Sequence, residues 1–170
     1  AGLRIGARIP AMDATASHAN AELLNRFYRA FAALDAETMA DCYAPDAQFQ
    51  DEVFTLGGRD EIAAMWRMLC AATRAKGMDA WSLQFSDVSA DARQGRAHWE
   101  PRYRFSATGR MVHNIIDAQF TFRDGLIASH RDRFDFWAWS RQALGAPGLL
   151  LGWTPFLRNK VKQQAGHNLR

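Results

Sequence analysis

The chain has 170 residues, 48% of them hydrophobic and 12% aromatic, which suits one domain with a real core and excludes a disordered chain. Its formal charge of +3 is unevenly spread: residues 1–12 hold two arginines and residues 141–170 hold five Lys/Arg, neither with an acid, which leaves 14 basic against 18 acidic residues in 13–140. A mildly acidic fold with basic ends lacks the basic stripe of a nucleic-acid-binding domain, and no stretch reaches the roughly 18 apolar residues of a membrane span.

The opening "AGLRIGARIPAMD" lacks the apolar core of a signal peptide. Residues 1–16 read as a loose arm of a cytoplasmic protein. Ser17 is expected to cap a first helix, in which Leu24, Phe27, Phe31 and Leu34 make one buried stripe. Asp35 caps a short second helix carrying Met39, Cys42 and Tyr43, and Pro45 helps to end it. "AQFQD" then alternates as a short strand with Ala47, Phe49 and Asp51 on one face. Gly57-Gly58 marks a turn. Asp60 and Glu61 open a third helix, favoured by its dipole, with Ile62, Met65, Trp66 and Leu69 as its apolar stripe. Cys42 and Cys70 match no disulfide framework or zinc motif and read as small core residues.

From residue 80 the period changes to two. Strands are expected near 80–88, 94–106, 111–123 and 126–137, joined by "ADARQG", "SATGR" and "RDG", which are hairpin loops. "WAWSRQALG" reads as a short helix ended by Gly145, "APGLLLGW" as a loop, and Thr154-Pro155 as the start of a last helix. The architecture this implies is α+β: a cone-shaped, curved, mainly antiparallel sheet wrapped around three N-terminal helices, with a cavity between and a C-terminal helical arm. The divisions are an arm at 1–16, a cone domain at 17–137 and an extension at 138–170.

The parity of each strand exposes an anomaly. The inner rows are Ala47, Phe49, Asp51; then Ala97, Trp99, Pro101, Tyr103, Phe105; then Val112, Asn114, Ile116, Ala118, Phe120, Phe122; and finally Leu126, Ala128, His130, Asp132, Phe134, Phe136. Each row is mostly apolar and carries one or two polar groups. Buried polar groups cost free energy unless paired, so Asp51, Tyr103, Asn114, His130 and Asp132 are expected to converge. Either they line a small-molecule pocket walled by aromatics, or they form a satisfied core network in which Asp132 and His130 pair with each other, Arg26 or Tyr28. His98 and His113 fall on the opposite face with Glu100, Arg102, Arg104, Asp117 and Thr121. No residues show metal-triad spacing, and there is no phosphate loop or serine elbow, so no cofactor or metal is expected.

"FYRAFAALDAETMADCYAPDAQFQD" and "GRMVHNIIDAQFTFRDGLIASHRDRFD", with the order of elements, resemble the SnoaL-like and ketosteroid-isomerase-like proteins of the nuclear transport factor two-like superfamily over about residues 17–137. The resemblance implies the cone fold, which hosts isomerases, dehydratases, cyclases, hydrolases and non-catalytic modules. In the steroid isomerases a general-base aspartate follows a "DATVED"-like strand, and Asp51 matches it. Their oxyanion-hole tyrosine falls on Phe27, beside Tyr28, and their second donor, a protonated acid that is a standard example of pKa tuning, falls on Ala118. In the limonene epoxide hydrolases the water-activating aspartate of the last strand matches Asp132, while its arginine and second aspartate fall on Trp99 and Pro101. The SnoaL-like polyketide cyclases place an acid/base aspartate in an "H-W-D"-like last strand, which matches Asp132 with His130 two residues before.

The reading that combines these is an isomerase-, lyase- or cyclase-type enzyme acting on an apolar carbonyl compound. Asp132 is the acid/base group, His130 orients it or protonates product, and Asp51 is a second carboxylate. Tyr103 and Asn114 donate to a developing enolate oxygen, and Phe49, Trp99, Ile116, Phe120, Phe134, Tyr28 and Trp66 line the pocket. The alternatives are a non-catalytic module for a hydrophobic ligand or for dimerisation, and an epoxide-hydrolase-like enzyme. A homodimer is expected, because the outer parity carries Ile115 and Ile127 beside His113, Asp117 and Arg131. "GLLLGWTPFLRNKVK" either touches an anionic membrane surface or packs over the cone mouth or a partner subunit.

Overall fold

The computed structural model describes residues 11–146 and the single positions 159, 163, 166 and 169. Helices α1 (Ala11–Ala32), α2 (Ala36–Asp41) and α3 (Arg59–Ala75) precede most of the sheet, and α4 (Phe136–Leu144) follows it. The strands are β1 (Tyr43–Gln50), β2 (Thr55–Gly57), β3 (Ser82–Ala90), β4 (Gln94–Arg104), β5 (Met111–His113), β6 (Ile116–Arg123) and β7 (Leu126–Arg133). They form one curved, unclosed sheet in the order β2-β1-β7-β6-β4-β3, with β5 paired to β4. All pairs are antiparallel except β1 with β7. The α+β cone read from the sequence is the fold observed. Among the described residues, no helix is long and apolar enough to cross a membrane.

The first helix begins earlier than expected. Ser17 does not cap it; its Oγ bonds the Asp13 carbonyl from inside the helix, so residues 11–16 belong to α1 rather than to an arm. The α2 cap is as read: the Asp35 carboxylate accepts the Thr38 N–H. Gly58, at φ 91°, precedes α3 in a conformation that favours glycine. The "RDG" turn is a two-residue hairpin with both Asp124 (φ 54°) and Gly125 (φ 73°) left-handed. Residues 1–10, "PGLLLGW" after Ala146, and Thr154-Pro155 at the start of the expected last helix lie outside the described residues; beyond them Asn159, Gln163 and Gly166 are helical. Leu169 packs against the main core.

Three strand assignments shift. Tyr43 is not on the second helix: it opens β1 and faces Ile127 of β7. The expected strand 111–123 is two, because Pro101 lies opposite Asn114 and has no N–H to complete the ladder. Asn114 N–H still donates to the Pro101 carbonyl, and the register runs on unbroken, with Trp99 facing Ile116 and Arg102 facing His113. The last strand stops at Arg133, and Phe136 begins α4, capped by the Asp135 carboxylate.

A further correction concerns parity. Thr121 and Phe122 are adjacent on β6, yet they face Ser129 and Ile127, so Ala128 is an extra residue in a bulge. Ile127 therefore turns inward and is fully buried, while Ile115 remains 55% exposed. The expectation of Ile127 on the outer face is overturned.

The helices lay Leu24, Phe27, Phe31, Met39, Ile62, Met65 and Trp66 on the inner sheet face, against Phe49, Trp99, Ile116, Phe120 and Ile127. Cys42 and Cys70 are free and buried in this core. A smaller cluster of Val112, Phe136, Trp139 and Ala143 fixes α4 on β5, and Phe134 and Val53 touch both clusters.

The bulge separates two isoleucines that simple alternation puts on one face. Ile127→Ala is expected to cost about 2–5 kcal/mol, as for a closed core site, and Ile115→Ala less than about 0.5 kcal/mol, in urea unfolding of the two variants. Equal losses would contradict the bulge.

Candidate functional site

Of the polar residues of the inner rows, His130 and Asp132 meet directly, and Asp51 lies within electrostatic reach of both. His130 is 1% exposed and Asp132 3%. They project from β7 on the same side, because side chains two apart on a strand share a face. His130 Nε2 lies 2.9 Å from Asp132 Oδ1, and Trp99 Nε1, from β4, donates to the same oxygen at 3.2 Å. The other ring nitrogen, His130 Nδ1, lies 2.7 Å from Tyr43 Oη, and Trp66 Nε1 of α3 donates to that hydroxyl at 3.2 Å. His130 is enclosed by the rings of Phe120 (4.3 Å between centroids), Phe49 (5.0 Å) and Phe27 (5.7 Å). Neither Arg26 nor Tyr28 is its hydrogen-bonding partner.

Asp51 follows directly on β1. Its Oδ1 accepts the N–H groups of Val53 and Phe54 at 2.7 and 2.6 Å. Burial pushes its carboxyl up to about 6, and the charge of Asp132 adds to that, against the two backbone bonds and His130. Tyr103 accepts from Trp139 Nε1 at 2.9 Å, and burial pushes its hydroxyl up to about 12, with Asp51 adding. Asn114 is buried, and its Oδ1 accepts from the Ile115 N–H.

Tyr28, stacked on Phe85 at 5.3 Å and 6.1 Å from Trp99, is fully buried with a hydroxyl that has no partner among the described residues. Burial, then the nearby charge of Asp132, pushes its pKa well up. A buried hydroxyl without a partner costs about 1–3 kcal/mol, a cost that a hydrogen-bonding guest would remove.

Of the expected lining residues, Phe49, Trp66, Ile116 and Phe120 are packed as inner walls, while Asp51, Tyr103 and Phe134 are half-buried toward α4. Two grooves of about 650 and 620 Å³ lie elsewhere, on the outer sheet face, lined by residues such as Arg96, Gln119 and Arg131. Among the described residues, no group of three His, Cys, Asp or Glu is placed to hold a metal ion. Sequence reasoning missed Tyr43 and Trp139. For Tyr43 a signal existed: Pro45 biases Ala44 to extended backbone, which argues for a strand already at "YAP".

The SnoaL-like domain family matches residues 24–130. The chain belongs to the SnoaL-like family. No curated protein matches it. Solved structures of similar fold include a Xanthomonas campestris protein assigned as a polyketide cyclase (TM-score 0.61, 18% identity, covering 75% of this chain and 98% of that one). An LEH-like epoxide hydrolase of M. tuberculosis aligns at TM-score 0.58 and 18% identity, over 79% and 94% of the two chains. A Kribbella flavida protein assigned as a ketosteroid isomerase aligns at 0.55 and 13%, over 74% and 82%. At these identities the likeness shows the nuclear transport factor two-like fold of this SnoaL-like protein.

Asp51 yields a pH prediction. Its folded-state value of about 6 stands above the ordinary 3.8, so its contribution to stability is fully present below about pH 4 and is lost as pH rises through 6. The loss amounts to about 3 kcal/mol at neutral pH. Asp51→Asn keeps an oxygen for both backbone N–H groups and removes the charge. Its stability relative to wild type should therefore rise between pH 4.5 and 7.5 in urea unfolding, and a difference flat in pH would count against a buried, strained carboxylate.

Proposed function

We propose that the protein is a small-molecule enzyme of isomerase, cyclase or lyase type, in which Asp132 is the general acid/base on an apolar carbonyl compound. The observation that carries this reading is the setting of Asp132. It is a nearly inaccessible carboxylate that accepts the Trp99 N–H and faces His130 Nε2 at 2.9 Å, with no lysine or arginine paired to it among the described residues. A carboxylate so placed is oriented without a lysine or arginine partner, which suits proton abstraction next to a carbonyl. The aromatic walls fit an apolar substrate.

Asp51, beside it and held up to about 6, serves as the partner acid that is partly protonated at neutral pH. The unpartnered Tyr28 hydroxyl, with Tyr103 and Asn114, supplies donors for the oxygen on which negative charge develops. A substrate enters past the half-buried Asp51, Tyr103 and Phe134.

An epoxide-hydrolase reading is weaker. That triad needs an arginine and a second aspartate where this chain has Trp99 and Pro101, and the tryptophan gives Asp132 a neutral donor instead. A non-catalytic ligand-binding module is the second reading. It is favoured by the completeness of the Trp66, Tyr43, His130, Asp132 and Trp99 hydrogen bonds, which resemble a satisfied core network.

Asp132→Asn separates the two, since the amide keeps the shape and removes the proton acceptor. On a panel of small enones, epoxides and polyketide-like ketones, the variant is expected to lose at least about 100-fold in kcat while still binding ligand. A variant whose melting temperature falls while ligand handling is unchanged would favour the core network.

The same reading includes a homodimer through the outer sheet face, where Ile115 is exposed near His113 and Asp117. Light scattering at micromolar concentration is expected to give about twice the 19.1 kDa of the chain; the monomer mass would remove the dimer from the proposal.

A further inference from the structure

We infer that Tyr43 is a positioning residue of this site, fixing together with Asp132 the tautomer of His130, so that its one ring proton sits on Nε2 and points at Asp132 while Tyr43 holds Nδ1. The inference rests on the general-base reading of Asp132 for its functional meaning, though not for its geometry.

The argument is a count of protons. An indole N–H can only donate, so Trp66 gives its hydrogen to Tyr43 Oη. The phenol has one hydrogen of its own. Its hydrogen-bonding neighbours among the described residues are Trp66 Nε1, which cannot accept, and His130 Nδ1 at 2.7 Å. The phenol hydrogen therefore goes to Nδ1, which must carry a lone pair. The proton of a neutral imidazole is then on Nε2, 2.9 Å from Asp132 Oδ1, and the carboxylate accepts it. The opposite arrangement fails twice. An Nδ1–H donating to Tyr43 would leave the phenol hydrogen without an acceptor in a fully buried place, and a bare Nε2 would confront the carboxylate oxygen lone pair to lone pair.

A consequence follows for the chemistry. His130 Nε2 and Trp99 Nε1 converge on the same oxygen, Oδ1, so the oxygen that takes the substrate proton is Oδ2. Tyr43 touches neither substrate nor reacting atom. It acts through His130, and His130 acts by orienting Asp132 rather than by protonating product.

The test reads the tautomer directly, in long-range ¹H–¹⁵N spectra of the full chain with labelled histidine at neutral pH. In the wild type, His130 Nδ1 is expected at the position of an unprotonated ring nitrogen and Nε2 at that of a protonated one. A protonated Nδ1, alone or together with Nε2, overturns the inference. Tyr43→Phe leaves the Nε2 proton held by Asp132 but takes the donor away from Nδ1, so the Nδ1 resonance should move further toward that of an unbonded, unprotonated ring nitrogen; an unchanged Nδ1 position would also overturn the role given to Tyr43. Trp66→Phe removes only a donor to the phenol oxygen and should leave the His130 pattern as in wild type; a change there contradicts the proton count. Should Tyr43→Phe fail to fold, the wild-type and Trp66→Phe spectra still decide. The spectra need no substrate, so their failure is separate from that of the general-base reading, which turnover by Asp132→Asn reports. On a substrate that is turned over, Tyr43→Phe is expected to lower kcat with little change in KM.

Discussion

A carboxylate and an imidazole are buried together inside an aromatic shell, and much of the structure is a response to that constraint. Removing a charge from water is costly unless its lone pairs are met by donors. Asp132 is met by His130 and Trp99, His130 in turn by Tyr43, and Tyr43 by Trp66. Those five side chains come from β7, β4, β1 and α3. Three strands must hold their register and one helix its rotation for the chain of bonds to close. A single missing partner would leave a buried charge or dipole uncompensated, at about 3–5 kcal/mol for a broken buried pair.

The same pairing of histidine with carboxylate recurs on the outer face with a different meaning. His98 lies 2.8 Å from Asp117 and 3.1 Å from Glu100, whose other oxygen is 2.6 Å from His113. Hydrogen bonds to Asp117 and Glu100 raise the pKa of His98. Asp117 is 79% exposed and the other three side chains about 30%, so water and salt screen the pairs and each contributes little. Charge is tolerated outside because it remains solvated, whereas inside it is tolerated only because it is fully bonded.

How much of this could be read from the sequence follows from what alternation can and cannot carry. Period two found the inner rows of β4, β5 and β6, and with them Trp99, Tyr103, Asn114 and Phe120. It found His130 and Asp132 because a polar pair in an apolar row is conspicuous. It failed at Ile127, since the extra residue at Ala128 reverses the pattern and no local signal announces a bulge. It failed at Tyr43 because the apolar stripe of a six-residue helix extends by chance into the strand that follows. Trp139 was invisible for another reason: its contact with Tyr103 joins α4 to β4, a relation between elements that periodicity within either one does not encode. The break between β5 and β6 was legible in principle, from Pro101 alone, once its partner across the ladder was known.

The parallel pairing of β1 with β7 ties Tyr43 to Ile127 and Phe49 to His130, and the Tyr43–His130 bond spans 87 positions of the chain. Closing a loop of that size costs entropy before any contact made across it is rewarded. During synthesis β1 leaves the ribosome well before the strand that will lie beside it, and only β2 is available to cover one of its edges. The last long strand to appear is therefore the one that joins the β1–β2 pair to the β6–β4–β3 sheet. This order makes the site among the last parts of the domain to form, and it makes a chain cut before Leu126 a pair of unjoined sheet fragments with open edges, the form in which strands aggregate.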